Sequence, residues 1–112
     1  MISATIAFHP MASEQGGAVP TFSPVFEVAD FRYITVLLDI QDAGGTTPTL
    51  TVTIEQSMDG QKFMSLDAFP VQSGPTVVKL TGQDFARFIR ARYNYGGTDP
   101  WFAFSLLGIV RG

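Results

Sequence analysis

Apolar and polar residues alternate along much of this chain. Leu50, Val52 and Ile54 fall on one side of an extended segment, and Thr51, Thr53 and Glu55 on the other. A period of two is that of a strand with one buried face. Ser57-Met58-Asp59-Gly60 follows and predicts a turn, in which Asp59 bonds nearby backbone and Gly60 takes a positive φ. Phe63, Leu66 and Phe69 then return apolar weight, so residues 50–69 predict a β-hairpin. The same alternation runs through Ala4, Ile6 and Phe8 and stops at His9-Pro10. Residues 11–19 are polar and glycine-bearing, which suits a loop or arm. Phe22 and Phe26 flank Pro24, which confines residues 21–28 to an edge strand or a broken one. Residues 33–40, YITVLLDI, are β-branched and nearly continuously apolar, the pattern of a central strand covered on both faces. DAGGTTP at 42–48 and YGGTDP at 95–100 read as loops. Strands are further expected at 76–80, 85–93 and 101–110, with turns at 72–75 and 81–84.

No segment sustains a helical period with caps. The nearest candidate, residues 83–93, sets Arg90 and Arg92 opposite Ile89 and Ala91. About eight short strands separated by turns predict an all-β fold, a single β-sandwich of jelly-roll type. The expected division is an N-terminal strand with a flexible arm or loop over residues 1–19, and a sandwich domain over 20–112. Val36, Leu38, Ile54, Phe63, Ile89, Phe102, Phe104 and Leu106 are its expected core.

Composition narrows the class. The chain has 112 residues, 46% of them hydrophobic and ten of them Phe, enough for one well-filled core. Only 15% are charged, against the roughly 25% usual for soluble domains. Either a partner covers part of the surface, or uncharged Thr, Ser and Gln carry the outer faces. The net charge of −3 gives no electrostatic reason to expect nucleic-acid binding. Cysteine is absent, so packing or assembly must supply what disulfides give many small secreted domains. No basic segment followed by a long apolar stretch opens the sequence, and no apolar run is long enough to span a bilayer. The expectation is a protein made in a host cytoplasm without a signal peptide, with no membrane partner.

Candidate chemistry is sparse. His9 is the only histidine, next to a proline and without a G-x-S-x-G nucleophile elbow, which argues against a Ser-His-Asp triad. A lone histidine without cysteine also argues against zinc. Asp39 and Asp42 beside Gly44-Gly45 offer oxygens of the kind calcium uses, although Asp before glycine is ordinarily turn chemistry. Gly96-Gly97 precedes no helix and is no phosphate loop. No catalytic, cofactor-binding or metal-binding residue is therefore assigned. Arg90 and Arg92 share a strand face and have three possible roles: pairing across the sheet with Asp39, Glu55 or Asp67, meeting a neighbouring protein, or contacting phosphate. Tyr95 and Trp101 flank the 96–97 glycines, either as an aromatic rim or as core.

The order of elements carries a resemblance. Ser57, Asp59, Gly60 and Phe63 form S-x-D-G-x-x-F, followed after a lone strand by Phe85, Arg87, Phe88, Ile89, Arg90, Arg92 and Tyr93, and then by a closing aromatic strand. Over roughly the C-terminal half this resembles the discoidin-like (galactose-binding-like) jelly roll. It also resembles small virion proteins of tailed bacteriophages with the same hairpin, basic-aromatic strand and F-x-F-S ending. The chain lacks the bracketing cysteines frequent in discoidin domains, and no ligand residues carry over. The resemblance implies a non-enzymatic virion protein, most concretely a capsid decoration or cement protein. Its partners would be the major capsid protein or another virion protein, and its own copies. The alternative is a carbohydrate-binding module of a phage or bacterial surface assembly. Interface candidates are Ile2, Ile6, Phe8, Arg90, Arg92, Tyr95 and Trp101, with Asp59 and Gly60 as the turn.

Overall fold

Two long strands organise the molecule, which is seen in a computed structural model that describes residues 3–112. β4 (Tyr33–Ser57) and β7 (Phe88–Arg111) pair antiparallel from Tyr33↔Arg111 to Ser57↔Phe88. A straight strand of 25 residues would reach about 80 Å. The longest dimension of the molecule is 43 Å, so both strands double back and their two halves face each other as the layers of a β-sandwich.

The first layer sets β6 (Thr76–Gln83) against Tyr33–Ile40 of β4, with the last residues of β7 on the other side and β1 (Ser3–Gln15) beyond them. The second sets β5 (Met64–Ala68) against the end of β4. There the start of β7 carries β2 (Thr21–Phe22) and β3 (Phe26–Glu27) on its outer edge. Pro24 breaks that edge as expected, and Ser23 bridges the gap: its backbone N–H donates to the Ala91 carbonyl at 2.9 Å and its Oγ accepts from Ala91 N at 2.8 Å. Among the described residues the expected eight short strands are thus seven, because β4 and β7 each join two of them across the layers and the break at Pro24 divides another into β2 and β3.

The corner where β4 and β7 turn is built from the two segments whose composition predicts loops. Ile40/Asp42, Gly44/Thr46 and Thr46/Thr49 are irregular steps in the ladder, with Thr46 opposite Thr98 and Thr49 opposite Gly96. Gly45, Thr47, Gly97 and Asp99 all have positive φ, at 104°, 48°, 97° and 48°. The left-handed residues bend both strands together without ending their pairing.

Inward positions keep period two on both sides of the corner. Ile34, Val36, Leu38 and Ile40 in the first layer meet Leu50, Val52 and Ile54 in the second, and Ile89 and Ala91 face Phe102, Phe104 and Leu106. Seven of the eight expected core residues are buried; Phe63 is the exception, half-exposed in the loop before β5. The N-terminal strand belongs to this core. Ile6 and Phe8 are 7% and 2% exposed, and the Phe8 ring packs edge-on to Phe26 of the opposite layer at 5.4 Å. Residues 11–15, expected in a flexible arm, continue β1 to Gln15↔Trp101 past two bulges, the second at Pro10 and Met11.

The S-x-D-G loop has the chemistry read from its sequence. Ser57 Oγ donates to Asp59 Oδ1 (2.9 Å) and accepts from Gly60 N (2.9 Å), while Asp59 Oδ1 accepts from Gln61 N and Lys62 N, both at 2.9 Å. The Lys62 and Gln61 amides, with the Ser57 hydroxyl, hold the Asp59 carboxyl below its ordinary range. Gly60 has φ 79°. A Cβ there would make only ordinary contact with Phe88, at 3.6 Å or more, so Gly60→Val tests backbone strain alone. It should destabilise the domain by roughly 1 kcal/mol or more in chemical denaturation.

Candidate assembly surfaces

The outer face of the first layer carries exposed large apolar residues among polar ones. Residues opposite one another in register share a face, which places Ala7, Leu107, Leu37 and Lys79 in one row. Thr5, Ile109, Thr35 and Thr81 form the next, and Ser105, Asp39 and Val77 lie on the other side. Leu107 and Leu37 are 40% and 42% exposed, Ile109 49% and Val77 59%. Tyr33, 42% exposed, ends the patch beside Arg111. The continuous apolar run at 33–40 predicts a strand covered on both faces. Its inner face is covered by the second layer, and its outer face is left open by this chain.

The arginine face of the second layer is arranged differently. Arg90 donates from Nε to Oε1 of the buried Glu55 at 2.9 Å. Its guanidinium lies between the Phe22 ring, 4.1 Å away, and the Phe63 ring, 3.8 Å away. Both flat faces of the cation are therefore covered, which is the cross-sheet pairing among the three roles considered for it. Arg92 NH1 lies 3.7 Å from Glu55 Oε2, so one carboxylate balances two cations. Phe63 lies on this outer face because it covers Arg90. Arg87, just before β7, pairs with Glu27 at 3.3 Å.

The remaining candidates divide by burial. Ile6 and Phe8 are buried in the chain's own core, and Ile2 lies outside the described residues. Tyr95 and Trp101 are half-buried: Tyr95 packs on Gly16 and Phe102, and Trp101 on Gly44. Burial, with Glu14 nearby, pushes the Tyr95 hydroxyl up to about 12. His9 donates from Nδ1 to the Phe104 carbonyl at 3.1 Å and stacks on the Phe104 ring at 4.0 Å, with Nε2 3.2 Å from Glu14 Oε1. Asp42 Oδ1 accepts from Ala43 N at 2.9 Å, and among the described residues no three His, Cys, Asp or Glu side chains gather as a metal site would need. An open groove of about 620 Å³ at the hairpin end is lined by Met58, Phe63, Met64 and Phe85, among others.

No protein-family profile and no curated protein matches the sequence. Solved structures do share the fold. The PBSX exported protein XepA superposes with a TM-score of 0.71 at 12% identity, over 97% of this chain and 37% of its own. A chain of infectious bursal disease virus, Gx strain, gives 0.63 at 16% identity over 98% of this chain and 32% of its own. The SPBc2 prophage-derived protein YomS gives 0.56 at 14% identity over 97% and 92%. This chain thus spans about a third of the first two and nearly all of the third. The likeness is one of fold: a β-sandwich that also occurs in a virus particle and in a prophage-derived protein.

Proposed function

We propose that this chain is a non-enzymatic structural protein of a virion, and more finely a capsid decoration protein that binds the capsid surface and its own copies. The observation that carries the reading is the open apolar face formed by Leu37, Leu107, Ile109 and Val77. Contiguous apolar patches on soluble domains mark surfaces that a protein partner covers. The shared fold with virus-particle and prophage-derived chains supports it, as does the low charge content. Tyr95 and Trp101, the aromatics best placed to hold a sugar, spend much of their surface on Gly16, Phe102 and Gly44.

The test is to mix the full chain with capsids of the virus whose genome encodes it and pellet the particles. The chain should co-sediment and saturate at a stoichiometry set by the capsid lattice, with free sugars making no difference. A chain that stays in the supernatant but is retained on a glycan array would overturn the reading in favour of a carbohydrate-binding module.

A further inference from the structure

We infer that the outer face of the first layer packs on the same face of a second copy, about a two-fold axis that crosses the strands at the Val36↔Gly108 pair. The inference rests on the assembly reading and names the surface, the partner and the register. Its first ground is the sequence of β4. Residues 33–40 point Ile34, Val36, Leu38 and Ile40 inward, and on the outward side Tyr33 and Leu37 stand exposed beside the polar Thr35 and Asp39. The chain's own second layer buries only Ile34, Val36, Leu38 and Ile40. Leu37 and its neighbours Leu107 and Ile109 need a cover of equally apolar character, and another copy of the face supplies one.

The charges on the face select the arrangement. Asp39 stands at one end of the patch and Arg111, beside Tyr33, at the other. Among the described residues neither Asp39 nor Arg111 has an ion-pair partner; Arg111 reaches only the Thr35 hydroxyl, at 3.5 Å. An axis perpendicular to the strands lays β4 over β4 with direction reversed. Asp39 of each copy then meets Tyr33 and Arg111 of the other, and Leu37 and Leu107 cover Thr35 and Ile109. An axis parallel to the strands would instead set Asp39 over Ser105, enclosing a carboxylate without a cation, which is strongly unfavourable. The perpendicular axis brings Asp39 of each copy to Arg111 of the other, in an isologous contact. Lys79 stays at the rim on edge strand β6. Aligned sheets cross at about 30°, which the twist of the strands accommodates.

The face is four strands wide and about eight residues long, a plate of roughly 19 by 26 Å. That places the contact at the small end of specific interfaces, where association is weak and transient. Copies brought together on a particle would then engage at concentrations where free copies separate.

Sedimentation equilibrium of the full chain from about 1 to about 300 μM should show a monomer–dimer equilibrium with a micromolar dissociation constant. Leu107→Lys should leave a monomer throughout with an unchanged melting temperature, since the side chain is exposed in the single copy; Ile109→Lys repeats the test in the next row. Asp39→Arg and Arg111→Asp should each weaken the dimer at least tenfold, and the double exchange should restore it to within about threefold. Failure of that rescue, a wild-type chain that stays monomeric, or a dimer unaffected by either lysine overturns the inference. A monomer that still co-sediments with capsids overturns it while leaving the decoration reading intact.

Discussion

Phe104→Ala is expected to lower the stability of the domain by about 3–5 kcal/mol, the range for removing a large, fully enclosed aromatic. Phe104 is wholly buried, with His9 stacked on one side of its ring at 4.0 Å and Tyr93 edge-on at 5.4 Å. Two strands converge there: β1 through His9, and β7 through both Tyr93 near its start and Phe104 towards its end. Neither strand can close the gap without leaving its ladder, so most of the lost volume should persist as a cavity. Urea denaturation should show a lower midpoint at an unchanged slope. Leu107→Ala, three residues on, removes an exposed side chain and should change the midpoint little in the monomer.

At the corner, the largest backbone effects are expected from Gly97→Ala and Gly45→Ala. Both glycines have φ near 100°, where an alanine is strained by roughly 1–3 kcal/mol. In each case the new Cβ would also strike the other strand's backbone. At position 97 it meets the Thr47 carbonyl oxygen and, at 2.6 Å, that of Thr46; at position 45 it meets the Asp99 and Thr98 carbonyls at 2.5 and 2.8 Å. Thr46 and Thr98 pair with each other and Thr47 and Asp99 lie next to them at the bend, so these backbone carbonyls cannot swing aside as a side chain can. Each variant should therefore cost about 3 kcal/mol or more by the same denaturation measurement. Gly17→Ala is the control: nothing lies within 4 Å of its Cβ, and the midpoint should barely move.

The strands with one covered face were readable because alternation is local: Leu50, Val52, Ile54, Ile6, Phe8 and the inward positions of 33–40 are buried as expected, whereas Ala4 is exposed and the outward Glu55 is buried under Arg90 and Arg92. The corner was not readable. DAGGTTP and YGGTDP have the glycine, threonine and proline content of loops, and nothing within either segment says that it pairs with the other. Their glycines supply the positive φ of a turn, but the turn is made by two strands at once. Phe63 misled for a related reason, since its position in a loop fixes no parity and its partner, Arg90, comes from a distant strand. By pattern Ile6 and Phe8 fit a first strand slightly better than an outreaching arm, and that strand pairs with β7. YITVLLDI was read as covered on both faces; the structure covers one, and leaves Tyr33 and Leu37 exposed on the other.

The sharing of β4 and β7 between both layers also governs how the molecule is made. In the β4–β7 ladder, Ser57 and Phe88 are the paired residues closest along the chain, and Tyr33 and Arg111 the most distant. Closing the shorter loop first costs less entropy, so pairing should begin beside the S-x-D-G loop, pass the glycine corner and reach the first layer last. With so many contacts between distant residues, folding belongs to the slow, topology-limited class. By the same criterion β1 adds after that, since Ser3 and Arg111 are paired across a still longer stretch of chain, so the row of Ala7, Leu107 and Leu37 is completed only at the end of folding.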